Sequence, residues 1–305
     1  MQGVVIKSTG SWYSVLQPNG SIVECGIKGK FRIQGIKTTN PIAVGDKVEY
    51  ELETNGQGVI YRIEERKNYI IRKSINLSKQ SHILASNIDQ ALLIVTLAYP
   101  RTSNGFVDRF LITAEAYHIP TTIVFNKVDL FENDLELMAD LDAFIAVYEK
   151  IGHTCYKVSA LDSLSVQLLR DITKNKTTLV AGHSGVGKST LVNAMDANLT
   201  LKVGEISGAH SKGKHTTTFA EMHALQYGGF IIDTPGIKEL GIVDMEKEEI
   251  RDYFPEMRAL KGNCKFNNCI HINEPKCAVI EAVENGIIAK SRYNSYLSVI
   301  SGGEV

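Results

Sequence analysis

Apolar and polar positions alternate in short runs over the first 66 residues. A period of two is typical of strands that bury one face. Turn-forming residues separate the runs, at 18–20 and 55–58. The pattern predicts a small closed barrel of five strands, in which Trp12 and Tyr13 point to opposite faces, so that one of them lies in the core. The five runs are GVVIKS, SWYSVL, SIVECGI, DKVEYELE and GVIYRIEE.

From about residue 82, apolar runs without alternation take turns with segments of helical spacing. Such runs are typical of parallel strands buried on both faces. The runs are ALLIVTLA, TTIVFN, TCYKVS, TTLVAG and GFIID, and the helical segments are 106–118, 134–151, 164–173 and 188–197. This alternation predicts an α/β sheet with helices on both faces. Beyond about residue 245, a short charged helical stretch and a last helix at roughly 288–300 are predicted.

A cluster of three cysteines and one histidine lies between those last two segments. Three thiols and an imidazole suit a tetrahedral structural Zn²⁺, and four protein ligands leave no open position for catalysis. The alternative is a cluster of reduced thiols without a metal. Three cations nearby, Lys265, Lys276 and Arg292, can contact RNA or simply be solvated. The predicted ligands are Cys264, Cys269, His271 and Cys277.

Composition narrows the class of protein. The 305 residues are 44% hydrophobic and 22% charged, as in ordinary globular domains. No apolar run is long enough to span a membrane and the N-terminus lacks a signal sequence, so we expect a cytoplasmic protein without a membrane partner. The net charge of −1 hides a basic tract, because residues 1–80 hold 12 Lys and Arg against 7 Asp and Glu. A basic barrel fits a binder of single-stranded nucleic acid, and it fits an SH3-like protein-binding barrel almost as well.

Residues 182–189 match the phosphate-loop pattern G-x-x-x-x-G-K-[ST] between a predicted strand and a predicted helix. The glycines let backbone N–H groups surround phosphates, and the helix N-terminus adds positive potential. Lys188 can reach the β and γ phosphates, and Ser189 can bind Mg²⁺. His183 and His210 are interpreted as incidental. The predicted set is Gly182, His183, Ser184, Gly185, Val186, Gly187, Lys188, Ser189 and Thr190.

The choice between ATP and GTP depends on a second motif at the end of a strand, Asn126-Lys127-Val128-Asp129. A carboxylate there accepts two hydrogen bonds from guanine, at N1–H and the 2-amino group, and adenine offers no such pair. Asn126 and Lys127 would hold the loop and cover the base. After the next strand, the dipeptide Ser159-Ala160 can supply a backbone N–H to guanine O6.

A third motif, Asp233-Thr234-Pro235-Gly236, ends the last apolar strand. Asp233 can hold Mg²⁺ through water and the Gly236 N–H can contact the γ-phosphate, although the pattern alone also fits an ordinary turn. One threonine of the preceding Gly213-Lys214-His215-Thr216-Thr217-Thr218 can complete the Mg²⁺ shell. We favour Thr217.

These motifs occur in rotated order. In Ras-like GTPases the phosphate loop comes first, whereas here it follows both guanine motifs. With the barrel, GKHTTT and the cysteine cluster, the chain resembles the RsgA family, also called YjeQ or EngC. The resemblance implies an OB-fold barrel, a circularly permuted GTPase and a zinc-binding helical domain. It also implies GTP hydrolysis that the small ribosomal subunit stimulates, late in maturation of that subunit. Lys214 departs from the family, where Arg is expected.

The resemblance sets the remaining expectations. The barrel spans 1–72, the GTPase 73–244 and the C-terminal domain 245–305. Partners are the small ribosomal subunit and its rRNA, with GTP or GDP, Mg²⁺ and one Zn²⁺, and the protein is a monomer. Ile237 stands where Ras-like enzymes place the Gln that orients water. The catalytic candidates are therefore Lys188 and His215, and the alternative for His215 is a structural role.

Three other functions stay open from the residues. The first is a non-catalytic RNA-binding scaffold, which Ile237 supports. The second is an ATP-dependent small-molecule kinase, against which the guanine motif argues. The third is a permuted GTPase that acts on another RNA, such as the large subunit, against which the barrel and GKHTTT argue.

Overall fold

The barrel comes first in the computed structural model, which describes residues 1–27, 41–73, 81–201, 220–233 and 246–302. Its strands follow the order β1-β2-β3-β5-β4, and β4 pairs back to β1, so the barrel closes. Tyr13 is buried and Trp12 is 43% exposed, which confirms that one of the pair lies in the core. The strands are β1 Gln2–Ser8, β2 Tyr13–Leu16, β3 Ile22–Ile27, β4 Lys47–Leu52 and β5 Gly58–Ile63.

A hairpin that the sequence did not predict follows the barrel, with β6 at Tyr69–Lys73 and β7 at Ser81–Ser86. The wholly buried Asp46 ties it to the barrel. Its two carboxylate oxygens accept hydrogen bonds from Arg66 Nε and Nη2, both at 2.6 Å. One of them also accepts a hydrogen bond from Ser86 Oγ at 2.6 Å. A bidentate pair of this kind fixes direction as well as distance.

The central sheet confirms the predicted α/β architecture. Its order is β10-β9-β8-β11-β13-β12, and the first five of these strands run parallel. The last strand, β12, is antiparallel to β13 and also pairs with β1, so the barrel and the sheet are hydrogen-bonded together. The strands are β8 Gln90–Val95, β9 Thr121–Phe125, β10 Thr154–Lys157, β11 Thr177–Ala181, β12 Glu221–Ala224 and β13 Phe230–Asp233.

Four helices cover both faces of this sheet. Apolar residues of α1 and α2 share one core with the sheet, and those of α3 and α4 share the other. Three of the helices have an N-terminal side-chain cap, which is Ser103 for α1, Asp134 for α2 and Asp162 for α3. The N-cap residue of α4 is Gly187, which has no side chain to serve in this way. The helices are α1 Asn104–Ala116, α2 Leu135–Glu149, α3 Ser163–Thr173 and α4 Lys188–Met195.

The C-terminal region is a small helical module around its own apolar core. Its last helix packs on α1, and Ile112 of α1 belongs to the module's core. None of the helices in the described ranges is both long and apolar enough to cross a membrane. The helices are α5 Lys247–Ile250, α6 Pro255–Arg258, α7 Ala278–Glu284 and α8 Lys290–Ile300, with a 3-10 turn at Arg251–Tyr253.

Candidate nucleotide site and metal centre

The predicted phosphate loop connects β11 to α4, and its glycines are required by geometry. Gly182 and Gly187 have positive φ angles of 145° and 89°. A Cβ on Gly182 would lie 2.3 Å from the Ile94 carbonyl oxygen, and one on Gly187 would lie 2.5 Å from Asn126 Nδ2. No side chain caps the N-terminus of α4, and the positive end of a helix favours an anion.

Lys188 folds back over its own loop. Its Nζ donates to the carbonyl oxygens of Gly182 at 2.7 Å and His183 at 2.9 Å. The ammonium group therefore lies against the first two residues of the loop that is predicted to bind phosphates. Ser189 is half-buried, and Ser184, Gly185 and Thr190 are exposed at the rim.

The predicted guanine motif lies against the phosphate loop. Asn126 is 1% exposed, and its Nδ2 donates to the Val186 carbonyl at 2.8 Å. Lys127 has a φ of 64°, and its Nζ donates to Gly185 O at 2.6 Å and Tyr99 O at 2.8 Å. These bonds hold the loop after β9, the loop after β11 and the loop after β8 in one block.

The loop after β10 completes this edge. Val128 N–H donates to the Val158 carbonyl at 3.3 Å, which places Ser159-Ala160 beside the half-buried Asp129. Ser159 is buried, and its Oγ accepts the Leu161 N–H at 3.1 Å. The two predicted guanine-contacting segments are therefore adjacent.

Asp233 ends β13 and pairs with Val180 of β11, two residues before Gly182 of the phosphate loop. Burial raises the pKa of its carboxyl, and the nearby Lys188 ammonium opposes that rise. A half-buried carboxylate beside the phosphate loop favours a cation there. Three other predicted site residues, His215, Thr217 and Gly236, lie outside the described residues, as do Lys214, Ile237 and His210.

His183 has specific partners. Its Nε2 lies 2.7 Å from Thr102 Oγ1, and its ring meets that of Phe106 edge-on at 5.4 Å between centroids. Thr102 Oγ1 also accepts the Thr96 N–H at 3.0 Å. The ring thus joins the phosphate loop to the start of α1. The sequence pattern missed Tyr99 and Thr102, because neither belongs to a motif.

The four predicted metal ligands come together. Their ligand atoms all lie within 4.8 Å of one another. His271 Nδ1 is 3.3 Å from the sulfurs of Cys269 and Cys277 and 3.6 Å from that of Cys264, and the sulfurs of Cys264 and Cys277 are 3.9 Å apart. Ideal zinc bond lengths in a tetrahedron imply edges of about 3.6 Å from nitrogen to sulfur and about 3.8 Å between sulfurs. The cluster can therefore hold one metal ion.

Arg292 is not an RNA-facing cation. It is 1% exposed and lies between Asp108 and Glu256, at 2.6 and 2.7 Å, so its partners are internal. Lys265 and Lys276 are exposed, as a surface contact would require.

The fold and the site define a circularly permuted P-loop GTPase with a barrel before it and a cysteine–histidine cluster after it. Comparison with known proteins gives the family. The family model described as RsgA GTPase matches residues 63–243, and that described as RsgA N-terminal domain matches residues 2–60. The chain belongs to the RsgA family of GTPases.

Relatives and solved structures match over nearly the full length. The small ribosomal subunit biogenesis GTPase RsgA of Flavobacterium psychrophilum is 55% identical over 100% of this chain and 94% of that protein. Its namesake in Bacteroides fragilis is 56% identical over 100% and 97%. The crystal structure of YjeQ from Thermotoga maritima is 35% identical with a TM-score of 0.79, covering 99% of this chain and 97% of that one. That of YloQ, a circularly permuted GTPase, is 30% identical with a TM-score of 0.75, covering 99% and 94%.

Proposed function

We propose that this GTPase assists late maturation of the small ribosomal subunit. In this proposal the GTP-bound protein binds the subunit, and hydrolysis, stimulated by the subunit, permits release. The names of the relatives support the choice of subunit. The observation that carries the nucleotide chemistry is the block formed by three loops, in which Asn126 and Lys127 of the guanine motif donate directly to the phosphate loop.

Each side chain of the block has a role in this proposal. Lys188 neutralises the β and γ phosphates, because its ammonium group lies among the carbonyls of that loop. Asp129 selects guanine, and the adjacent Ala160 N–H recognises O6. Ser189, Asp233 and Thr217 would hold Mg²⁺, and the ion would neutralise negative charge at the phosphates.

Water orientation is assigned to His215. The residue after the Asp233–Gly236 motif is Ile237, whose aliphatic side chain neither donates nor accepts a hydrogen bond. Hydrolysis by the protein alone is therefore expected to be slow, and the subunit stimulates it through His215 or supplies a further group.

The appended domains complete the proposal. The basic barrel, with the exposed Trp12, contacts single-stranded rRNA. The cluster holds one structural Zn²⁺, because its donor set and spacing fit that ion and a module this small gains its stability from the metal. Domain limits near residues 72 and 244, a monomeric state and a cytoplasmic location are parts of the same proposal.

Sedimentation with purified subunits tests the partner. Protein loaded with a non-hydrolysable GTP analogue is expected to pellet with small subunits and not with large ones, and GDP-loaded protein is expected to stay in the supernatant. Lys188→Ala is the matched control, because it should remove the difference between nucleotides. Equal pelleting in both nucleotide states would favour the scaffold, and preference for the large subunit would reject the partner.

A further inference from the structure

The carboxylate of Glu274 lies within the turn that carries the metal ligands Cys269 and His271. It accepts three backbone N–H groups, from Ile270 at 2.6 Å, Ile272 at 2.8 Å and Asn273 at 3.1 Å. These amides flank His271 on both sides, and the turn belongs to no helix or strand. Three N–H groups of the turn therefore depend on one side chain.

Other side chains bind the carbonyl groups of the same turn. Tyr296 Oη donates to Ile270 O at 2.5 Å and Tyr293 Oη to His271 O at 2.8 Å, both from α8. Arg251 donates to Cys269 O from the 3-10 turn. The backbone from Cys269 to Asn273 is thus held on both sides by side chains.

The turn needs this support because of its conformation. His271 has a φ of 57°, in the left-handed region that costs a non-glycine residue free energy. In that conformation its Nδ1 lies 3.3 Å from the sulfur of Cys269. Without fixed partners, the turn would have to be ordered whenever a metal binds, which weakens binding.

Charge also indicates a backbone role for Glu274. Its carboxylate is not among the four ligating groups. With Zn²⁺ bound, three thiolates and the ion would leave one net negative charge, so a further carboxylate nearby is unfavourable unless hydrogen-bond donors compensate it. The three amides supply that compensation and fix the carboxylate in return.

We propose that Glu274 is a positioning residue for the metal, which holds Cys269 Sγ and His271 Nδ1 at ligating distance by binding the amides around them. This inference rests on the proposed zinc site. Loss of such an outer partner typically weakens metal binding by about 10- to 100-fold.

Glu274→Gln in the full chain tests the proposal. The glutamine side chain has the same shape as glutamate, but its NH₂ group would replace one of the two oxygens that accept hydrogen bonds. This NH₂ group would then face a backbone N–H with which it cannot bond. Competition with a chromogenic chelator should show zinc affinity about 10- to 100-fold lower than in the unchanged protein. With Co²⁺ as probe, the ligand-field bands should shift or broaden, since they report the geometry at the metal.

Two matched variants separate positioning from stability and from charge. Val299→Ala weakens the apolar core of the same module and removes none of the side-chain hydrogen bonds that hold the turn. It should lower the unfolding temperature but leave the Co²⁺ spectrum unchanged. Glu284→Gln removes an exposed charge at the end of α7 and should change neither. Tyr293→Phe, expected to weaken zinc binding by about fivefold, replaces Glu274→Gln if that variant does not fold.

The outcomes are distinct. Zinc affinity of Glu274→Gln within twofold of the unchanged protein, or a loss no larger than that of Val299→Ala at equal destabilisation with an unchanged Co²⁺ spectrum, would overturn the inference. Failure of the unchanged protein to bind zinc at all would instead reject the metal site, and the inference with it. Weaker binding together with a perturbed Co²⁺ spectrum would support both.

Discussion

The buried ion pair between Arg292 and Asp108 joins the C-terminal module to the GTPase, and its removal should be severe. Arg292 Nη1 lies 2.6 Å from Asp108 Oδ1, and the side chains are 2% and 0% exposed. The same guanidinium group binds Glu256 at 2.7 Å and lies 4.7 Å from the centre of the Phe254 ring. Arg292→Met keeps most of the volume and leaves two acidic groups without a cation. The expected loss is about 3–5 kcal/mol of module stability.

The matched control is an exposed ion pair that joins the module to the same helix of the GTPase, α1. Arg258 binds Glu115 of α1 at 2.6 Å, but the side chains are 49% and 35% exposed. Arg258→Met should therefore cost less than about 1 kcal/mol. Each substitution removes an arginine that pairs with an acidic residue of α1. The difference between the two losses of stability therefore measures the effect of burial on the ion pair.

The loss in Arg292→Met should also depend on pH. Burial raises the pKa of the Asp108 carboxyl, and Arg292 opposes that rise. Without Arg292, the pKa in the folded state lies further above the unfolded value of about 3.9. The folded variant then holds its proton more tightly than the unfolded chain. Its stability should fall as pH rises between those two pKa values, so the loss should be smaller near about pH 5 than near about pH 8.

Native-state hydrogen exchange of the α8 amides measures this module directly. A loss of about 3–5 kcal/mol corresponds to exchange faster by roughly 150- to 5,000-fold. Arg258→Met should accelerate exchange by less than about sixfold. Similar acceleration of exchange in the two variants would refute the reasoning that burial decides how much each ion pair contributes to the stability of the module.

Three further predictions concern the metal and the nucleotide site. Chelation of zinc should abolish the protection of α8 amides and leave the unfolding of the barrel, reported by the fluorescence of Trp12, unchanged; a single shared transition would contradict this. Asp129→Asn should lower GTP affinity at least about tenfold and favour xanthosine triphosphate, whose C2 carbonyl accepts the new amide, in equilibrium binding; unchanged GTP affinity would contradict it. Gly187→Ala should weaken GTP binding, because the new Cβ would displace Asn126. Gly152 is the control, because it has a similar φ of 93° but no atom within 4 Å of a new Cβ, so Gly152→Ala should only lower the free energy of unfolding by about 1 kcal/mol in a urea titration. Equal GTP affinity in the two variants would contradict this prediction.

Most strands and helices were predictable, because the spacing of apolar residues that marks each one lies within its own short segment of the chain. The barrel strands and the helices at 106–118 and 164–173 lie within two residues of the observed bounds. The hairpin β6–β7 and the antiparallel β12 were missed. The pairing of β12 with β1 joins Lys7 to Glu221, and no local pattern reveals partners so far apart in the chain.

The site shows the same limit. Motifs located the loops, because each carries its own chemistry. The contacts that lock them together did not follow, since Lys127 bonds Tyr99 and His183 contacts Thr102, 81 residues away. Arg292 resembled a surface cation for the same reason: its counter-ion Asp108 is 184 residues away in the chain.

The most direct test of the central claim is nucleotide hydrolysis by the purified protein, alone and with small or large ribosomal subunits. We expect slow GTP turnover by the protein alone, a rise with small subunits only, and no comparable turnover of ATP. Turnover of ATP that matches GTP would contradict the assignment of Asp129, and GTP turnover indifferent to small subunits would contradict the proposed partner.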